Sequence, residues 1–225
     1  MKICIARMFC AAFILSQTFA LFFVSCSRSG PEVSFWNMRI IYCEEDGGIE
    51  KYLSFFALVN DADGPQDIAE IRLYNDFEGL LWVLKPENWV FFESGENIWI
   101  GSRSIAMPSG GEAFPSGGWR VAVADKSGEQ TERSFGFDVP KESKRPFPSF
   151  SIKNGEWKVE DAYPSGALIC YDTFGSYLQT LNISDSSGSV AALGVPPETV
   201  SLSYWGEDVE SAASALTRQV YVQSN

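Results

Sequence analysis

The chain has 225 residues, 45% of them hydrophobic, and its 29 acidic against 17 basic side chains give a formal net charge of −12. A surface this acidic repels phosphate backbones and anionic headgroups, so nucleic acid is not an expected partner. Histidine is absent, which excludes Ser-His-Asp and Cys-His nucleophile pairs, an imidazole general base and imidazole-bound zinc.

Met1 to Arg7 carries Lys2 and Arg7 and no acid, Met8 to Val24 is apolar apart from Ser16, Gln17 and Thr18, and the small Ser25 precedes Cys26. A basic start, an apolar middle and a small residue at the cut form a secretory signal peptide. The apolar run falls short of the roughly 20 residues that a spanning helix needs. With cysteine directly after the cut, Leu21-Phe22-Phe23-Val24-Ser25-Cys26 resembles a bacterial lipoprotein signal. Phe23 stands where the commonest pattern has Leu, as in the relaxed signals of spirochaete lipoproteins. The resemblance implies cleavage after Ser25, a diacylglycerol and fatty acid such as palmitate on Cys26, and a membrane-anchored place in the cell envelope. Two acyl chains suffice for stable attachment, since each buried methylene contributes about 0.8 kcal/mol. Removing Lys2 and Arg7 leaves a remainder still more acidic than the precursor.

Cys4 and Cys10 leave with the signal. Cys43 and Cys170 remain, an even pair that could close one disulfide between the two halves of the protein. Each also sits in an apolar alternating run, where a free thiol packs as a small hydrophobe.

Ser27 to Pro31 reads as a tether, placing a lipidated leader segment at 26–32. Short runs rich in aromatic and β-branched residues then follow one another: 35–43, 52–60, 68–74, 80–84, 89–92, 97–100, 119–124 and 133–139. Such runs, separated by Gly, Asp, Asn and Pro, predict an all-β sandwich or barrel. The one plausible short helix is Val209 to Leu216. Lys141 to Pro148, polar and interrupted by proline, marks a linker over 141–149 between a sandwich over 33–140 and a smaller β-rich unit over 150–225.

Five turns share the spacing Asp-x-x-Gly, beginning at Asp61, Asp76, Asp125, Asp172 and Asp185. Asp at the first place of a type I turn accepts hydrogen bonds from the following amides, and Gly at the fourth tolerates positive φ. Such turns between alternating runs predict antiparallel hairpins. An aromatic residue, Pro-Ser-Gly, a strand, one of these turns and a second strand occur twice, from Phe114 and from Tyr163, which suggests two related β units.

The stretch Pro115 to Gly128 is similar to the closing hairpin of bacterial immunoglobulin-like and fibronectin-type-III-like modules, and Val59 to Ile68 looks like a turn common in them. The resemblance implies an immunoglobulin-like antiparallel sandwich over 33–140 that displays loops, and it implies no enzymatic activity.

Two kinds of site come into question. Asp61, Asp63 and Asp67 could offer oxygens to calcium, although such an ion takes about six to eight ligands and turn chemistry already accounts for Asp61 and Gly64. Trp82 and Trp89 could stack on a ligand if exposed, whereas Trp99 and Trp119 read as sandwich core. No cofactor is expected beyond the covalent lipid. The expected function is non-catalytic: a membrane-anchored binding or structural module with a protein or glycan partner. A carbohydrate-binding lipoprotein using exposed aromatics is the alternative, and a carboxylate-dependent hydrolase comes after it.

Overall fold

The computed structural model describes residues 30–94, 97–108, 113–140, 145–210 and 213–222. The signal segment, Cys26 and the start of the linker lie outside them. The first half carries β1 (Glu32–Glu45), β2 (Gly48–Asn60), β3 (Ile68–Asn75), β4 (Leu80–Leu84), β5 (Val90–Ser94), β6 (Asn97–Ile105), β7 (Gly117–Asp125) and β8 (Gln130–Phe137). The second carries β9 (Ser149–Lys153), β10 (Glu156–Glu160), β11 (Ser165–Tyr171), β12 (Tyr177–Ile183), β13 (Ser187–Ser189), β14 (Ser201–Asp208), β15 (Ala213–Leu216) and β16 (Val220–Tyr221). The protein is all-β. Its helical content among the described residues is two single 3₁₀ turns, Pro65–Asp67 and Val190–Ala192.

The strands form three sheets. A nine-stranded sheet runs β12-β11-β14-β15-β1-β2-β6-β5, with β16 beside β14; a second sheet runs β4-β3-β7-β8 and a third β13-β10-β9. Numbered A to G along the chain, the first eight strands read A-B-E-D against C′-C-F-G. That is the strand order of immunoglobulin-type sandwiches, with C′ and D both present.

Two apolar clusters lie between the sheets. Leu53, Phe55, Ala57 and Val59 of β2 face Ile71, Leu73, Trp119, Val121 and Val123 of the second sheet in one apolar cluster. Leu168, Cys170, Leu202 and Tyr204 face Phe150, Trp157 and Val159 of the third sheet in another. The first core holds a ring stack: Trp82 and Trp119 lie 5.3 Å apart, and Trp119 meets Phe137 edge-on at 6.3 Å. Both indoles are satisfied, Trp82 Nε1 donating to the Ala106 carbonyl at 2.8 Å and Trp119 Nε1 to that of Pro115 at 3.2 Å. Rings that bury about 150–250 Å² each dominate such a core once their N–H groups have partners.

The two clusters divide at the linker, but the large sheet does not. β15 pairs antiparallel with β14 and parallel with β1, Ile40 opposite Ala213 and Cys43 opposite Leu216. This seam overturns the expected helix over Val209 to Leu216. Ala213 and Ala215 are small enough to be fully buried between flanking strands, and a strand there closes the hydrogen-bond ladder that would otherwise leave two edges bare. The register places Ile40, Tyr42, Gly206 and Asp208 on one face, and Arg39, Ile41, Cys43, Trp205 and Glu207 on the other. Both smaller sheets therefore cover the same face of the large one, and among the described residues no sheet packs on its opposite face, where Ile41, Ser54 and Ile169 are nonetheless buried.

Cys43 and Cys170 are both free, and the disulfide is not formed. β15 and β14 stand between their strands, three spacings of about 4.8 Å each, and a disulfide needs Cα atoms within about 7 Å. They also point to opposite faces, Cys170 into the second core and Cys43 to the uncovered side.

Turn chemistry appears where the sequence places it. Gly64, Gly79, Gly128 and Gly175 all have positive φ. Gly188 is the exception: it lies in β13 flat against the Trp157 indole, where a Cβ would come within 3.1 Å of Nε1. The two Pro-Ser-Gly segments precede unlike hairpins, β7–β8 and β11–β12, the F–G and C–C′ positions of their units. They are a recurrent way into a hairpin rather than a repeat of a whole unit.

Candidate functional site

The uncovered face of the large sheet carries a groove of about 390 Å³. Its floor is made of Ile41, Ser54 and Ile169, all buried, and its walls of Trp99, Trp205, Arg39 and Arg103. Phe56, Asn37, Thr180 and Glu207 complete it. A smaller hollow of about 120 Å³ continues along the sheet past Arg103 and Trp205 to Cys43, Tyr171 and Tyr177. The larger volume lies within the roughly 300–1,000 Å³ typical of small-ligand sites, and its lining sets flat rings beside six polar or charged side chains.

The groove belongs to neither unit alone. Arg39 comes from β1 and its carboxylate partner Glu207 from β14, so the ion pair reaches across β15. Glu207 Oε1 also accepts from the Trp205 indole at 3.2 Å, and Arg39 Nε donates to Asn37 Oδ1 at 3.2 Å. These bonds fix the plane of the Trp205 ring before anything binds. Arg103, exposed on β6, lies over the Phe56 ring at 5.9 Å. Among the described residues it takes part in no ion pair.

The aromatic residues singled out by sequence are placed otherwise. Trp82 and Trp89 are both 8% exposed and belong to the first core, so neither is a stacking platform. In β4, Leu81 points out while Trp82 and Leu84 point in. Ahead of β5, the turn at Pro86 folds Trp89 inward: Asn88 Oδ1 accepts from the Lys85 amide at 2.7 Å, and the Trp89 amide donates to the Lys85 carbonyl at 3.1 Å. Trp119 is core as expected, but Trp99 is not. It is partly exposed on the groove wall while its neighbour Ile100 is fully buried. Arg39, Arg103, Trp205 and Glu207 carry no motif. The signal that could have found them is the unequal pair Trp205–Glu207 alternating with Tyr204 and Gly206.

The acidic cluster also differs in membership. Asp61, Asp67 and Asp125 bring ligand-capable oxygens within 4.8 Å of one another, and Asp63 is not among them. Asp63 instead contributes its amide, which donates to Asp61 Oδ1 at 2.8 Å. Asp125 Oδ1 accepts from Ser127 Oγ at 2.8 Å and the Glu129 amide at 2.9 Å. Burial works to raise the Asp125 pKa, and these hydrogen bonds more than offset it, holding the carboxyl below its ordinary value. Asp61 Oδ2 is buried without a hydrogen-bond partner. Turn bonding thus occupies one oxygen of each of two members.

No protein-family model matches the chain, and no curated protein matches it. Among solved structures it is similar to Tp47, the 47-kilodalton lipoprotein of Treponema pallidum, with 12% identity and a TM-score of 0.42 over 84% of this chain and 50% of that one. The chain spans about half the length of that protein.

Proposed function

We propose that this protein is a non-catalytic envelope lipoprotein, anchored through acyl chains on Cys26, whose ectodomain holds a ligand in the groove on the open face of its large sheet. The observation that carries the reading is the groove itself: a preset indole, Trp205, lines it together with a second, Trp99, over a seam that both units build. A purely structural sandwich has no need to hold a partly exposed ring in place with a two-donor carboxylate. The non-catalytic part rests on the lining. Glu207 is the one carboxylate there, and it is engaged by Arg39, whereas glycosidase chemistry takes two carboxyl groups facing each other. The immunoglobulin-type strand order supports a display scaffold, since such sandwiches carry function on grafted sites. Tethering would raise the local concentration of the groove at the membrane.

The test has two arms. A photo-crosslinking residue placed at Trp99 or Thr180 in cells gives a discrete adduct, and one at the exposed Lys153 of the third sheet gives none. Equal labelling at all three positions, or none from the groove, rejects the binding reading. Cys26→Ser shifts the protein out of the detergent phase; unchanged partitioning and mass reject the anchor.

A further inference from the structure

The groove's chemistry narrows what it would hold, and this step rests on the reading that the open face is the binding face. The lining has three components. Trp99, Trp205 and Phe56 offer flat apolar rings; Asn37, Thr180 and the free lone pairs of Glu207 offer hydrogen bonds; and Arg103 offers a guanidinium that no described carboxylate neutralises. The chain as a whole carries −12, so its general field turns anions away. A cation without a described counter-charge inside an aromatic groove of such a surface selects for a single anionic group held close, because screening confines its attraction to about 8–10 Å.

An acyl chain with a carboxylate head would meet the cation, but it would cover Asn37, Thr180 and Glu207 without hydrogen-bonding them. Covering the hydrogen-bonding capacity these groups still have, without meeting it, is unfavourable. A neutral sugar would satisfy the rings and polar groups and leave Arg103 unused. A pyranose bearing a carboxylate answers all three: its C–H face lies on an indole, its hydroxyls reach Asn37, Thr180 and Glu207, and its carboxylate takes the planar fork of Arg103. We infer that the groove between Trp99 and Trp205 is a binding site for an acidic saccharide, with Arg103 the residue that reads its carboxylate. The Arg39–Glu207 pair is a positioning element, holding the Trp205 plane.

The full chain, purified in detergent, is titrated with a hexuronic acid disaccharide and with the methyl ester of the same sugar, following tryptophan fluorescence and ligand saturation-transfer signals. The acid is expected to bind at least tenfold more tightly than the ester. Arg103→Ala should bring the acid down to the ester's affinity and leave the ester unmoved, with Arg103→Lys in between. Since Arg103 is exposed, its removal leaves folding intact, and an unchanged melting temperature verifies this. Equal affinity for acid and ester, or an Arg103→Ala variant that binds the acid like wild type, overturns the role of Arg103. If neither sugar binds while groove crosslinks persist in cells, the saccharide assignment falls and the binding face stands. Tight binding of laurate that displaces the acid would give the site to a lipid instead. Absence of both sugar binding and groove crosslinks removes the underlying reading as well.

Discussion

On the covered side of the nine-stranded sheet, Trp119 and Tyr204 are 2% and 1% exposed and every hydrogen-bonding atom of their rings has a partner. On the other side, Trp99 and Trp205 are only partly covered, and Trp205 is held by a carboxylate that also binds an arginine. The same residue type therefore serves cohesion on one face and presentation on the other. What separates them is which face the two smaller sheets cover, since an antiparallel sheet is stable with only one face packed.

That contrast predicts unequal costs. Trp119→Ala should lose about 3–5 kcal/mol, because it empties a ring-filled volume that neighbours cannot refill. Trp205→Ala should lose only about 1 kcal/mol, being partly exposed, while abolishing ligand binding. Urea denaturation of both variants checks this, and comparable losses would mean that the open face is core as well.

Within the second core the fit around Tyr204 is tight. A Cβ on Gly206 would lie 2.8 Å from Tyr204 Cε1, and one on Gly166 would lie 2.7 Å from Cε2. The hydroxyl meanwhile accepts the Tyr163 amide at 3.0 Å. Gly206→Ala should cost about 1–3 kcal/mol through overpacking. Tyr204→Phe should cost a similar amount by leaving that amide unpaired. A Gly206→Ala variant as stable as wild type would show that the ring has room to shift.

The seam offers a smaller effect. A double-mutant cycle of Arg39→Met and Glu207→Gln should give a coupling of about 0.5–1 kcal/mol, discounted for its partly exposed setting. The pair matters more for the Trp205 plane, so indole fluorescence anisotropy should fall in either single variant. Zero coupling together with unchanged anisotropy would detach the pair from the groove.

Alkaline pH probes the same open face. Burial, with Glu45 adding to it, pushes the Cys43 thiol up to about 11, and a hydrogen bond to Glu45, with burial, pushes Tyr52 up to about 12. The folded state holds these protons more tightly than the unfolded chain, whose thiol titrates near 9.0. The thiol's stabilisation is thus intact below about pH 9 and lost as pH rises through 11, and that of Tyr52 is intact below about pH 10 and lost as pH rises through 12. Cys43→Ala should flatten that decline, and its thiol in the wild type should alkylate slowly at neutral pH. A Cys43 that labels as fast as a free thiol would contradict this.

The smallest expected change is at the acidic cluster. Asp61→Asn keeps the oxygen that accepts the Asp63 amide and removes one of three crowded charges, so stability should stay within about 0.5 kcal/mol or rise slightly. Millimolar calcium should leave the melting temperature unmoved. A calcium-dependent rise that Asp61→Asn abolishes would make the cluster a cation site.

By itself, the sequence determined the strand series and the turns between them: β12 runs where alternation and flanking turn residues set it, and four of the five Asp-x-x-Gly glycines take the positive φ their position demands. These are local properties, set by sterics within a few residues. The facing of the tryptophans was not legible, because Leu80 to Leu84 and Ile98 to Ile100 are apolar throughout and give no parity to read. Nor was the seam. A short Ala-Ser run has no strong preference, and only its capture between β14 and β1 makes it a strand. The groove follows from that capture. Its ion pair joins residues 168 positions apart along the chain, and nothing short of the tertiary fold, by joining two sandwiches through one sheet, brings Arg39 to Glu207.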